Sequence, residues 1–253
     1  MVPLNPQKCF FNFSQFPIML PKKESHWIPL ADLMTVLMIM FLFMAISYMV
    51  VMQKKQELKN KVIQDFQNSK TELLSELNHE FRSDFKKAKW NAVLDTTDLS
   101  IKFIDERILF SYDKSDLKPQ FKNILSDFFP RYIKIILKSK YKNKIAEVRV
   151  EGHTSSEGDY IYNLKLSQDR TRNVVEFLRN LSYYRCLTTD AQRRLQYLIT
   201  ANGLSYGRTL DQNGNLTYAS SKSPDNLKCR RVEFRIITTS DDLIKQAIKN
   251  MKE

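Results

Sequence analysis

From Leu33 to Met52 the chain is apolar except for Thr35, Ser47 and Tyr48. About 20 residues at 1.5 Å each give roughly 30 Å, the thickness of a bilayer's hydrocarbon core. The pattern predicts one membrane-spanning helix over 27–52, starting near Ile28 because Pro29 suits a first helical turn. Residues 53–98 are polar and hold neither glycine nor proline. Within them Leu58, Val62, Phe66, Leu73, Leu77, Phe81 and Phe85 recur mostly every four positions, which predicts an amphipathic helix. It reads either as a solvated spacer or as a stalk that pairs with a twin or folds back on the membrane. The spacing drifts from 3.5, so no sustained coiled coil is expected.

The period changes after residue 98. Leu99-Ser-Ile-Lys-Phe-Ile alternates as a half-buried strand does, and Ile108-Leu-Phe reads as a short strand. A helix over 119–138 should bend or break at Pro130. Ala146-Glu-Val-Arg-Val-Glu-Gly alternates again. Asn163 to Leu181 reads as a helix with Val174, Val175 and Leu178 on one face, and a further helix is expected over 189–198. Arg231-Val-Glu-Phe-Arg-Ile-Ile predicts a last strand, and Ser240 opens a C-terminal helix. Strands alternating with helices predict a compact α/β sandwich over 99–253. The fold class is therefore a single transmembrane helix plus helical stalk, then an α/β domain. Residues 1–26 form a tail in which Phe10, Phe11, Phe13 and Phe16 cluster; it either lies on the membrane surface or packs on a partner.

Charge and chemistry narrow the function. The apolar run starts too late and is too long for a cleaved signal peptide, so it stays as an anchor. The formal net charge of +12 is spread along the chain with acids between the lysines, and no compact basic patch with interleaved aromatics stands out. Direct nucleic-acid binding is not expected, and the excess serves membrane attraction and solubility. Lys8, Lys22 and Lys23 precede the span and Lys54, Lys55, Lys59 and Lys61 follow it, so the charge rule alone weakly puts the C-terminal side in the cytoplasm. Cys9, Cys186 and Cys229 form no CxxC or Cys/His spacing, His26 and His79 lack metal-ligand neighbours, and the first glycine is Gly152. A zinc site, a glycine-rich phosphate loop and a nucleophile–base pair are all unreadable, and the expectation is a protein without cofactor or metal that is not an enzyme.

Asp32 stands at the mouth of the apolar run. A carboxylate there is either an N-cap or a functional group, since charge is costly in hydrocarbon and burial raises a carboxyl group's pKa toward loading and unloading a proton. The helix start set by Pro29 places Asp32 inside the helix, with the Thr35 hydroxyl on the same face and in reach of the carboxyl group.

Val150-Glu-Gly-His-Thr-Ser-Ser-Glu-Gly followed by Tyr162-Asn-Leu-Lys-Leu-Ser-Gln-Asp-Arg resembles the OmpA-like peptidoglycan-binding domain. Leu109-Phe-Ser-Tyr-Asp with Leu117-Lys-Pro is similar to that family's opening, and Asn226-Leu-Lys-Cys-Arg-Arg-Val-Glu-Phe to its closing strand, so the resemblance spans roughly 99–238. It implies a pocket for the carboxylates of the diaminopimelate-containing peptide stem, lined by Tyr162, Asn163, Leu166 and Arg170. Arg170 would offer a planar fork of donors, and Asn163 would donate or accept. The family usually has Asp after Gly-His-Thr, paired with the ligand's ammonium; this chain has the uncharged Ser155, with Glu157 nearby as a substitute.

Trp27-x-x-x-Ala-Asp-Leu-Met-Thr before an apolar helix, joined to an OmpA-like domain, resembles the B subunits of ion-driven stators such as flagellar MotB. Through Phe41-Leu-Phe-Met-Ala-Ile-Ser-Tyr it is most similar to the ZorB subunits of Zorya anti-phage systems. The resemblance implies Asp32 as proton carrier, a homodimer within a MotA/ZorA-type membrane ring, and a rod tied to peptidoglycan. It also implies a single-pass inner-membrane protein with a cytoplasmic N-terminus and a periplasmic domain, because the wall lies outside; this overrides the charge rule. A flagellar stator subunit and a passive wall tether are the alternatives. Outside the inner membrane disulfides persist, which leaves a Cys186–Cys229 bridge or two buried free thiols.

Overall fold

The computed structural model describes residues 27–86, 90–104, 106–220 and 222–239, and the chain divides into two units, 1–57 and 58–253. The phenylalanine-rich tail, Cys9 and the helix expected from Ser240 lie outside the described residues.

Helix α1 runs Trp27–Lys86, 60 residues without a break. Its chain is rich in Leu, Met, Lys and Glu, holds no glycine, and confines proline to the first turn, so nothing interrupts the hydrogen-bond ladder. It is the one helix among the described residues long and apolar enough to cross a membrane. In the first unit its apolar side chains from Leu30 to Met52 stand exposed all round, as a lipid-facing surface requires. Asp32 lies inside the helix. The Thr35 hydroxyl, however, donates to the Asp32 backbone carbonyl at 2.7 Å and not to the carboxyl group, because a threonine in a helix most readily reaches the preceding turn's backbone.

In the second unit the same helix buries Ser69, Leu73, Leu77, Phe81 and Asp84 in the domain's own core. Of the positions in that spacing, Leu73, Leu77 and Phe81 are thus covered within the chain, while Leu58 and Val62 on the stalk stand exposed. Lys138 bonds Glu76, Lys140 bonds Glu72 and Glu76, and Arg131 bonds Glu80 at 2.7 Å and Asp84 at 2.9 Å. Strand β1 (Ala92–Asp95) follows directly, so the folded domain takes in residues assigned above to the stalk over 53–98.

The remaining elements are β2 (Ser100–Ile104), α2 (Glu106–Leu109), α3 (Pro119–Ile136), β3 (Ile145–His153), α4 (Tyr160–Asn180), α5 (Ser182–Arg185), α6 (Thr189–Leu198), β4 (Ile199–Gly203), α7 (Thr217–Ser220), α8 (Asn226–Cys229) and β5 (Arg231–Thr238). The sheet order is β1-β2-β5-β3-β4, antiparallel except for the parallel pair β3–β4 that flanks the helical crossover. Two expectations change. Ile108-Leu-Phe is not a strand: α2 ends at Leu109 and only Phe110 makes a single bridge, to Leu117. Helix α3 passes through Pro130 as one helix, its missing hydrogen bond offset by the burial of Phe128, Phe129, Tyr132 and Ile133 around it.

Alternation divides the sheet. Ile101, Phe103, Val148, Val150, Val232, Phe234 and Ile236 join the helices in the core, while Lys102, Arg149, Glu151, His153, Arg231, Glu233 and Arg235 alternate with them. Phe128 is the hub of the core, with ring centroids at 4.9–5.3 Å from Tyr132, Phe234, Phe103 and Phe81. Phe128→Ala should therefore destabilise the domain by about 3–5 kcal/mol, against less than about 0.5 for Val93→Ala on the exposed side of β1. Urea unfolding followed by fluorescence of the buried Trp90 reads both.

Candidate functional site

Helix α4 carries most of the pocket, and its placement is set locally. Asp159 caps its N-terminus, accepting from the Ile161 and Tyr162 amides at 2.8 and 3.1 Å. Gly158 turns the chain into the cap with φ +85°, a conformation glycine adopts freely. The helix lies so close to the sheet that a Cβ on Gly152 would meet the Ser167 carbonyl at 2.8 Å, and one on Gly203 the Gln168 amide nitrogen at 2.3 Å. Ser167 ties this contact down, accepting from the Ser205 amide at 3.0 Å.

Tyr162, Asn163, Leu166, Arg170 and Ser155 all line one open cavity of about 190 Å³. Arg170 is buried, stacked over the Phe110 ring at 4.8 Å, with Nε donating to the Lys114 carbonyl at 3.0 Å. Asn163 plays a narrower part than expected: its amide nitrogen donates to the Glu157 and Asp159 carbonyls at 2.7 and 3.0 Å, which leaves its oxygen as the group that can face a ligand. The Tyr162 hydroxyl donates to Asp113 Oδ1 at 2.7 Å, and that bond raises the tyrosine's pKa.

Tyr112, Asp113, Thr154, Gly158 and Arg230 also line the cavity without having been singled out in the sequence. Arg230 Nε donates to Ser155 Oγ at 3.0 Å, and its Nη2 meets Glu157 Oε2 at 2.5 Å. Asn226 Nδ2 donates to Glu157 Oε1 at 2.8 Å, so Glu157 is already engaged on both oxygens. The sequence signal for Arg230 was its place before the last strand; nothing there told which of the two adjacent arginines turns into the pocket. The cavity offers guanidinium groups for a carboxylate and carboxylates for a cation.

Strands β3 and β5 carry a buried ion cluster. His153 Nε2 is 3.6 Å from both Glu151 Oε2 and Glu233 Oε1, too far for a hydrogen bond. These three side chains could converge on a metal ion. Their two carboxylates, however, already meet Arg208 at 3.3 Å, Arg231 at 2.5 Å and Arg235 at 3.1 and 3.4 Å, so protein cations supply the compensating charge. Burial lowers the His153 pKa and favours neutral imidazole. Burial alone would raise Glu233, but Arg231 and its other cationic neighbours overcome it and hold the carboxyl group down to about 2. Both groups bind protons more readily unfolded than folded. The Glu233 contribution is complete above an unfolded pKa of 4.5 and is lost as pH falls through about 2, and protonation of unfolded His153 adds a loss below 6.5. Domain stability should rise between pH 2 and 6.5, by on the order of 3 kcal/mol from Glu233 alone. Urea midpoints across that range should trace the slope, and Glu233→Gln should flatten its acid end.

Among the described residues, Cys186 and Cys229 are not bridged to each other. Cys186 caps α5 at the exposed surface, while Cys229 is buried with its sulfur accepting from the Leu210 amide at 3.2 Å. The Cys186–Cys229 disulfide is replaced by two free thiols, one exposed and one whose pKa burial raises.

Residues 109–193 match the OmpA family, so the long apolar helix is followed by an OmpA-like α/β domain. The fold is similar to a MotB-like protein from Desulfovibrio vulgaris, at 16% identity and a TM-score of 0.46, covering 69% of this chain and 94% of that one. A Zorya protein ZorB from Escherichia coli O139:H28 is 26% identical over 216 residues, 85% of this chain and 80% of that protein. A Zorya protein ZorB from the Crooks strain of Escherichia coli is 32% identical over 242 residues, covering 91% of this chain and 96% of that protein. With that identity sustained almost from end to end of both proteins, the chain belongs to the ZorB family.

Proposed function

We propose that the chain is the wall-anchored B subunit of a proton-driven inner-membrane motor that acts in anti-phage defence. The observation that carries this reading is the reach of the ZorB match. Covering 91% of 253 residues leaves about 23 outside, too few to exclude either Asp32 or Arg170. One polypeptide thus joins an apolar helix with an internal carboxylate to a domain with an open cavity lined by Arg170 and Arg230. In this reading residues 27–52 span the membrane with the N-terminus cytoplasmic, two copies sit within a MotA/ZorA-type ring, and Asp32 takes up and releases protons. The OmpA-like domain lies in the periplasm and grips the diaminopimelate end of the peptide stem through Arg170, Asn163, Tyr162, Leu166 and Ser155. The wall contact stops the rod from spinning with the ring, so torque is retained. The work is mechanical, without catalysis by this chain.

The test is a clean deletion of the gene in its native host, scored for phage plating and for swimming. Plating should rise by orders of magnitude with swimming unchanged. Lost swimming with unchanged plating would identify a flagellar stator subunit. A deletion that changes neither, but loosens the envelope, would identify a passive tether.

A further inference from the structure

Helix α1 keeps one apolar face beyond the part that the domain covers. Leu73, Leu77 and Phe81 are buried, and the same stripe continues through Phe66, Val62 and Leu58 at four-residue steps. The cover thins along it: Ser69 is buried, Phe66 half-buried, Val62 45% exposed and Leu58 66% exposed. All of these residues belong to the second unit. Where the cover stops lies a small groove, lined by Phe66, Ser69, Leu73, Tyr141, Ile145 and Thr238.

Thr238 brings the end of β5 to that groove. The strand runs antiparallel to α1. Its Val232 pairs with Phe103, whose ring contacts Phe128 and through it Phe81, whereas Thr238 lies with Phe66 and Leu73. The chain therefore leaves β5 heading along α1 toward residue 58. Thr239 fixes the exit, its amide and hydroxyl donating to the Lys144 and Asn143 carbonyls at 3.1 and 3.2 Å. Residues 240–253 follow. Their sequence is amphipathic, with Ile244, Ile248 and Met251 at helical spacing after the helix-start signal Ser240-Asp-Asp.

We propose that residues 240–253 form a helix that docks on α1, with Ile244, Ile248 and Met251 seated on Phe66, Val62 and Leu58. The spans agree: Ile244 to Met251 rises about 11 Å in a helix, and Phe66 to Leu58 about 12 Å. A second copy of the chain is the competing cover. The bare stripe, however, spans little more than one heptad, short of the roughly three or four that mark a coiled-coil seam. A segment tethered beside the groove also has an effective concentration of millimolar order, which a separate chain lacks. The docking extends the domain's hold on α1 by about two turns, and it does not rest on the wall-binding reading.

The test uses the full chain in detergent, with cysteines read peptide by peptide in a mass spectrometer so that Cys9, Cys186 and Cys229 do not interfere. Val62→Cys combined with Ile248→Cys should close a disulfide within one chain under mild oxidation. Val62→Cys combined with Lys249→Cys, on the opposite face of the helix, should not. Deleting 240–253 should speed maleimide labelling of Val62→Cys by about ten-fold or more, because it uncovers that side chain. Labelling equally fast with and without the segment would overturn the docking. A disulfide between the Val62→Cys positions of two chains, in place of the 62–248 bridge, would overturn it in favour of a second copy.

Discussion

Replacing Asp32 by asparagine is expected to leave a folded, membrane-inserted chain that gives no protection against phage. Asparagine keeps the size and much of the hydrogen bonding of aspartate and removes only the titration. The local structure makes this a sharp test. Asp32 lies inside α1 and not at its cap, so the change removes no capping bond. The Thr35 hydroxyl bonds the Asp32 backbone carbonyl, a contact that the side-chain change leaves in place. What is lost is a carboxylate on an otherwise apolar helix surface, where such a group is expensive and is retained for work. Plating efficiency should match that of the deletion, with the variant present in the membrane fraction at wild-type level. Asp32→Glu, which still titrates, should retain part of the protection. Full protection by the asparagine variant would end the proton-carrier reading and favour a tether.

Long-period features were legible in the sequence and short or three-dimensional ones were not. The apolar helix, the helix over Thr189–Leu198 and the strand from Arg231 each repeat a pattern over enough residues to stand out, and the structure has them. Strand β1 has only four residues, too few for alternation to be distinguished from the polar helix before it. The period in Leu73, Leu77 and Phe81 was visible, but periodicity says which face is apolar and not what covers it. Pro130 was read from its local effect, which neighbouring burial offsets. In the pocket, the residues on α4 came from one contiguous motif. Asp113 and Arg230 arrive from loops 117 positions apart in sequence, and only the fold brings them to the same cavity. The Cys186–Cys229 pairing failed for the same reason, since adjacency to helices and strands fixes neither distance nor direction.

The anchoring role should fall with Arg170. Arg170→Ala in the detergent-solubilised full chain is expected to abolish co-sedimentation with purified peptidoglycan, and in cells to abolish phage protection. Its stability will not be untouched. Arg170 is only 4% exposed, and alanine removes both the bond to the Lys114 carbonyl and the stack over Phe110, which together should cost about 1–3 kcal/mol. Two companions separate binding from folding. Arg170→Lys keeps the charge but loses the planar fork, so peptidoglycan affinity should drop about ten-fold with a smaller loss of stability. Asn173→Ala removes the bond from Asn173 Nδ2 to the Ser115 carbonyl at 2.9 Å, a comparable tie to the same loop from a residue outside the cavity. It should lower the unfolding midpoint and leave sedimentation intact. If Asn173→Ala released the wall as completely as Arg170→Ala, the loop's order and not the guanidinium would be holding the ligand. If wild type never sedimented, the resemblance to wall-binding domains would be one of fold alone, and the anchor would have to be given up even with Asp32 essential.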